Sequence, residues 1–256
     1  SLMISQFEMN ILKDVFKIDE AILMYLPFLL VKESIKKESP VFKERKHFVS
    51  IGNFLHPPNL DSVKTLKNHI WKFIRNQIPN AELHVYGAYP NQQVLEFHNP
   101  KEGFFVHGFA ENVHEVFQAA RVLLAPLSFG AGLKGKFIDA MQNGCPSITT
   151  QIGIEGYSDS ENWCGLVAND WVSFVEKSIQ LYEDENLWNN CQQKGLNILK
   201  QFDKNLFYES LTLQIEFVKN NLKEHRKNNF IGSLLQHHTL KSTKYMSKWI
   251  EEKNKC

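Results

Sequence analysis

Between residues 48 and 168 the sequence alternates between two patterns, and that alternation limits the fold more than any other feature. Short runs rich in β-branched and aromatic residues read as strands: Phe48 to Phe54, Leu83 to Gly87, Phe104 to Phe109, Val122 to Leu127, Ser147 to Thr150 and Gly165 to Ala168. Between them Leu60 to Gln77, Val113 to Ala120 and Lys136 to Asn143 place apolar residues at three- and four-residue steps, as helices with one buried face do. Strand, helix, strand in succession calls for crossover connections, and these build a parallel sheet covered on both faces. The expected class is α/β, a Rossmann-like parallel sheet with helices on both faces. Trp171 to Tyr182, Asn186 to Gln201 and Lys204 to Lys223 read as C-terminal helices.

Ahead of this body, Ile4, Phe7, Ile11, Leu12, Val15 and Phe16 have helical spacing, and Ile22 to Pro27 reads as a short strand ended by proline. Ser1 and Leu2 read as an appended dipeptide, and the chain as a piece of a longer protein. A stretch rich in Lys and Glu, containing Pro40, reads as a linker. The expected segments are 1–31, a linker at 32–47, the α/β domain at 48–203, and helices with a basic tail at 204–256.

Composition excludes several alternatives. Hydrophobic residues at 43% and charged residues at 22% mark a globular chain, not collagen, coiled coil or wholesale disorder. A net charge of +1 argues against a nucleic-acid binder that relies on a basic field. The apolar run Ala21 to Val31 is broken by Pro27 and falls short of the roughly 20 residues that span a bilayer. Cys145, Cys164, Cys191 and Cys256 form no CxxC pair, which favours reduced thiols in a cytoplasmic setting over a disulfide frame or a zinc site.

An open parallel sheet binds ligands at the carboxyl ends of its strands. The richest loop there follows Val122 to Leu127 and runs Ser128-Phe129-Gly130-Ala131-Gly132-Leu133-Lys134-Gly135-Lys136 into a helix. Its glycines admit close backbone approach, the helix start offers free N–H groups, and two lysines stand where helices ordinarily disfavour cations. A phosphate site and an ordinary solvated βα loop both fit this pattern. The spacing matches neither a P-loop nor a Gly-x-Gly-x-x-Gly dinucleotide turn.

The stretch Leu124 to Met141, with Asn143-Gly144-Cys145-Pro146-Ser147-Ile148-Thr149-Thr150 and Ile152-Gly153-Ile154-Glu155-Gly156-Tyr157 after it, resembles the signature segment of glycosyltransferase family 4, the group 1 transferases of GT-B fold. Phe48 to Phe54 with Pro57-Pro58-Asn59 is similar to the first strand and loop of that family's donor domain. Ile4 to Pro27, with Ser5, Glu8, Leu12 and Leu26-Pro27, looks like the end of its acceptor half. The resemblance implies the C-terminal, donor-binding half of an enzyme that transfers a sugar from a nucleotide-diphospho-sugar with retention of configuration. A glycan or lipid-linked acceptor would bind the missing N-terminal half, so the isolated chain would be inactive in transfer.

Carried over by position, the resemblance assigns donor binding to Gly52, Asn53, His107, Gly108, Phe109, Gly130, Ala131, Gly132, Leu133, Lys134 and Asp139. Asp139 would accept hydrogen bonds from ribose hydroxyls. The N–H groups of Gly132, Leu133 and Lys134 would cradle the diphosphate, with the Lys134 side chain as clamp and Lys136 beside it. The loop around His107, Gly108 and Phe109 would hold the base. The family's first motif acid falls on Ala131, which keeps open a binding module without turnover and, further off, a GT-B nucleotide-sugar epimerase. No Asp-x-Asp triplet occurs, and neither a metal nor a tightly bound cofactor is expected. His56 and Glu155 lie on loops where ligand contact and a purely structural role are both open. Trp163, Trp171 and Trp188 sit within or near the helical region after the sheet and are assigned no function.

From Lys219 to Cys256 nine Lys or Arg face three Glu, with Phe230, Leu234, Leu235, Tyr245, Met246, Trp249 and Ile250 among them. This tail reads either as a packed terminal helix with solvated lysines or as a peripheral contact for an anionic membrane, acceptor or partner subunit.

Overall fold

The computed structural model describes residues 1–32 and 39–254. It divides into two compact units, Ser1–Leu206 and Phe207–Cys256. Part of the stretch read as a linker, and Cys256, lie outside the described residues.

In the first unit, β1 (Leu2–Met3) and β2 (Met24–Tyr25) pair in parallel around α1 (Gln6–Asp14), whose start is capped by Ser5. Leu2, read from sequence as appended, is thus part of a strand. The main sheet holds β3 (His47–Ile51), β4 (Leu83–Tyr86), β5 (Phe104–Gly108), β6 (Ala120–Ala125), β7 (Ser147–Thr149) and β8 (Gly165–Val167), in the order β5-β4-β3-β6-β7-β8. All its pairings are parallel, which bears out the expected α/β class. Several strands stop before their expected ends because the last residues turn into loops. Phe54, for instance, lies beyond β3 and donates its N–H to the Ala88 carbonyl.

Alternate residues of each strand feed two cores. Phe48, Leu83, Val85, Phe104, Val122 and Leu124 face α2 (Pro57–Thr65), a π turn at Leu66–Ile70 and α3 (Trp71–Gln77). Val49, Leu123 and Ala125 face the other way. Each fully buried Phe or Leu here contributes about 1.5–3 kcal/mol by leaving water. The helix expected from Leu60 starts at Pro57, since two prolines preset the first turn where no N–H is required. Two short helices escape the sequence pattern, α4 (Gln92–Glu96) and α7 (Gln151–Ile154), because four or five residues are too few to show a period. Between and after them come α5 (Val113–Ala119), α6 (Gly135–Gln142), α8 (Trp171–Glu183) and α9 (Glu185–Leu199).

The expected linker ends in an anchor. Arg45 is fully buried and donates to the carbonyls of Pro40, Phe117, Ala120 and Asn143 at 2.5–2.9 Å, while its guanidinium lies 5.2 Å from the Trp188 ring centre. Four carbonyl acceptors replace the water that this cation gives up.

The second unit is helical: α10 (Tyr208–Asn220), α11 (Leu222–Asn228) and α12 (Phe230–Lys253). The expected helix Lys204 to Lys223 starts only at Tyr208, after a 3-10 turn at Lys204–Leu206. On α12, Tyr245, Met246, Trp249 and Ile250 are exposed. No described helix is long and apolar enough to cross a membrane.

Candidate nucleotide-sugar site

The strand order reverses between β3 and β6, and the loops leaving those two strands diverge there to open a cleft of about 600 Å³. Its wall comes from Gly52 and Asn53 after β3, Gly87 and Ala88 after β4, Phe109 and Ala110 after β5, and Phe129 to Ala131 with Leu133 to Lys136 after β6. The backbones crowd closely at the floor. A Cβ on Gly87 would strike the Gly52 carbonyl, so the β3 and β4 loops can meet only through glycine.

Polar groups converge on this cleft. The Lys136 ammonium donates to Asn59 Oδ1 at 2.7 Å, and Asn59 Nδ2 in turn donates to the Asn53 carbonyl at 2.9 Å. No carboxylate pairs with Lys136 among the described residues, and burial pushes its ammonium from the ordinary 10.5 down to about 8. Asp139, one turn along α6, borders the same cleft; burial raises its carboxyl above the ordinary range, and His114 draws it back. A lysine and an aspartate on one helix start, with glycine backbone between the walls, can hold a diphosphate and a diol side by side.

Of the residues the sequence singles out, Gly52, Asn53, Phe109, Gly130, Ala131, Leu133, Lys134 and Asp139 meet at the cleft. His56, at the start of α2, joins them. Three do not. Gly108 lies one residue short of the lining, its carbonyl tied to the Gly87 N–H at 2.7 Å. Gly132 gives its N–H to Glu8 Oε1 at 2.6 Å and is absent from the wall. His107 turns onto the sheet face, where it stacks on Tyr86 at 4.6 Å and shares a hydrogen bond with His84 at 2.9 Å. The alternation of side chains along β5 puts it there.

Lys134 borders the cleft, but its ammonium donates to the Ile152 carbonyl at 2.7 Å. Burial lowers its pKa, while Glu155 and Glu8 raise it. The cation committed to the cleft is therefore Lys136, with Asn59 as its partner, and Lys134 braces the loop against α7. Asn59 escaped the sequence reading as a site residue, although Pro57-Pro58-Asn59 marked its loop; only the 77-residue contact with Lys136 reveals its role. Among the described residues no three His, Cys, Asp or Glu side chains are grouped to hold a metal ion.

Residues 45–184, more than half of the chain, match the family described as Glycosyl transferases group 1. The chain belongs to that family. A curated protein of Klebsiella pneumoniae, described as an uncharacterized 44.6 kDa protein in the cps region, is 24% identical over 136 residues, which are 50% of this chain and 35% of that protein. Similar solved structures include a TarM variant of S. aureus in complex with fondaparinux, alpha-GlcNAc-glycerol and UDP (TM-score 0.64, 13% identity, 82% of this chain and 42% of that one). The pneumococcal O-GlcNAc transferase GtfA in complex with UDP and GlcNAc gives 0.65 at 16% identity, over 85% of this chain and 44% of that one. WaaG, a glycosyltransferase involved in lipopolysaccharide biosynthesis, gives 0.60 at 16% identity, over 79% and 59%. At these identities the likeness is one of fold. The group 1 chain spans about a third of the Klebsiella relative and 42–59% of these three structures.

Proposed function

We propose that this group 1 chain is the donor-binding part of a transferase that moves a sugar from a nucleotide-diphospho-sugar, with retention of configuration, to a glycan or glycoconjugate acceptor held by a part of the protein outside it. The observation that carries this reading is the part-buried Lys136, which has no carboxylate partner among the described residues, at a helix start on the reversal cleft. A cation that sheds hydration without an ion pair is unfavourable until an anion arrives, and a diphosphate supplies one.

In this reading Lys136 and the loop amides at Leu133 and Lys134 hold the two phosphates and stabilise the charge that grows on the departing nucleoside diphosphate as the glycosidic bond breaks. That work falls to the protein's own cation and dipoles, not to a metal. Asp139 accepts hydrogen bonds from the ribose hydroxyls, and Phe109 with Ala110 borders the base. UDP in the TarM and GtfA structures makes it the first nucleotide to try. Thermal shift with UDP, GDP and ADP tests the assignment: a ligand at 100 times its Kd adds about 2.7 kcal/mol. No stabilisation by any of the three at millimolar concentration would sink it.

A second reading is favoured by Ala131, which lines the cleft and brings no carboxylate to it: a nucleotide-sugar-binding module without turnover. Product analysis with the whole protein, with and without acceptor, separates transfer, no reaction and epimerisation.

We further infer a cytoplasmic protein that touches an anionic membrane through α12. The exposed Tyr245, Met246, Trp249 and Ile250 supply apolar anchors, and Lys241, Lys244 and Lys248 flank them. Sedimentation with phosphatidylglycerol vesicles but not with phosphatidylcholine vesicles is the expected result.

A further inference from the structure

The loop that borders the cleft is gripped from its other side. Glu8 Oε1, on α1, accepts the Gly132 N–H at 2.6 Å across 124 residues of chain. Around this contact the N-terminal segment fits the loop closely. Ile4 lies 3.8 Å from where a Cβ on Gly132 would stand, and the buried Ser5 Oγ lies 2.8 Å from the corresponding point on Gly156. Gly132 has φ +68, a left-handed turn that glycine alone adopts without strain. Its neighbours Ala131 and Leu133 line the cleft and it does not. The turn therefore directs one amide backward to Glu8 while the residues on either side face the ligand. A carboxylate acceptor at this distance makes a charge-assisted hydrogen bond, stronger than a neutral one.

We propose that Glu8 is a positioning residue for the nucleoside-diphosphate site, its carboxylate latching the Gly132 amide and so fixing the turn on which Leu133 and Lys134 meet the ligand. The proposal rests on the donor-binding reading and adds to it a residue from outside the α/β body. Glu8 and Glu155 also favour the charged form of Lys134, whose ammonium ties the same loop to Ile152. The loop is thus held at two points, by Glu8 at Gly132 and by Lys134 at α7.

The test uses the 256-residue chain and its Glu8→Ala, Glu8→Gln and Lys136→Ala variants. UDP, GDP and ADP are titrated calorimetrically, and hydrogen exchange is followed at the Gly132 amide. Glu8→Ala is expected to speed Gly132 exchange and weaken the nucleotide that binds by about tenfold, the loss of one charge-assisted hydrogen bond. Glu8→Gln keeps an acceptor oxygen in place and is expected to restore both properties to within about threefold of wild type, a rescue that loss of general packing would not show. If Glu8→Ala fails to fold, Glu8→Asp, which keeps the charge but retracts it by one methylene, is measured in its place and is expected to behave as Glu8→Ala. Unchanged nucleotide affinity or unchanged Gly132 exchange in Glu8→Ala, while Lys136→Ala still loses binding, overturns the positioning role and leaves the donor site standing. Absence of binding to the wild-type chain by all three nucleotides overturns the donor site and the positioning role together.

Discussion

Two lysines two positions apart, Lys134 and Lys136, are indistinguishable in type and placement along the sequence, yet they meet different fates. Lys134 is satisfied by a carbonyl 18 residues on, and Lys136 by an amide oxygen 77 residues back. Burial disfavours the charged form of both, and the shift is large enough at Lys136 to carry a prediction. Between pH 8 and 10.5 the unfolded chain keeps a proton on Lys136 that the folded protein has released, so stability rises with pH through that window, and below pH 8 the full cost applies. Lys136→Met should therefore stabilise the nucleotide-free protein at pH 7, by about 1–3 kcal/mol in urea denaturation. It should weaken nucleoside diphosphate binding by tenfold or more in calorimetry, whereas Lys134→Met spares more of the binding. A bound diphosphate favours the charged ammonium, so wild-type affinity should fall as pH rises past about 8. A variant that lost stability and kept affinity would remove Lys136 from the site.

Among the elements, β3, β4 and β5 carry a feature that the alternation made visible but did not explain. Their residues on one sheet face are His47, His84 and His107, with Glu82 beside them. His47 stacks on His84 at 4.0 Å and is held neutral, its pKa pushed from 6.5 down to about 4 by burial and by the adjoining His84, with Glu82 opposing and His107 adding. In the folded protein His47 binds fewer protons than the unfolded chain between pH 6.5 and 4, so its contribution to stability is complete above 6.5 and is lost as pH falls to 4. Urea denaturation should show a loss of about 1–3 kcal/mol between pH 6.5 and 4 that His47→Phe largely abolishes. Equal pH dependence in the two proteins would exclude His47 as the source. The sequence placed His84 and His107 on strands and His47 at the end of the linker; stacking across three strands depends on register, which local pattern does not specify. The same limit explains why His107 was expected at the cleft. Residue 109 lies past the end of β5, where Gly108 at φ +77 turns the chain, and it reaches the cleft, whereas 107 is still within the strand and stays on the sheet face.

At the scale of the molecule, the two compact units lead to a separable prediction. Truncation after Leu206 should leave nucleotide affinity and the main thermal transition of the first unit within about a degree or twofold of the full chain, and should abolish binding to anionic vesicles. Nucleotide binding lost with the tail would show instead that the second unit completes the site. By itself the sequence determined the α/β class, the parallel order of strand and helix, and the glycine loop at Gly130 to Lys136, because period, propensity and glycine placement are written within a dozen neighbouring residues. Only the tertiary structure decided which lysine is tied to Asn59 at the cleft, that the Gly132 amide is taken by Glu8, and that Arg45 is anchored by four carbonyls. Each of these is a polar group leaving water, and its partner is whichever group the packed chain brings within about 3 Å, a distance that no local pattern encodes.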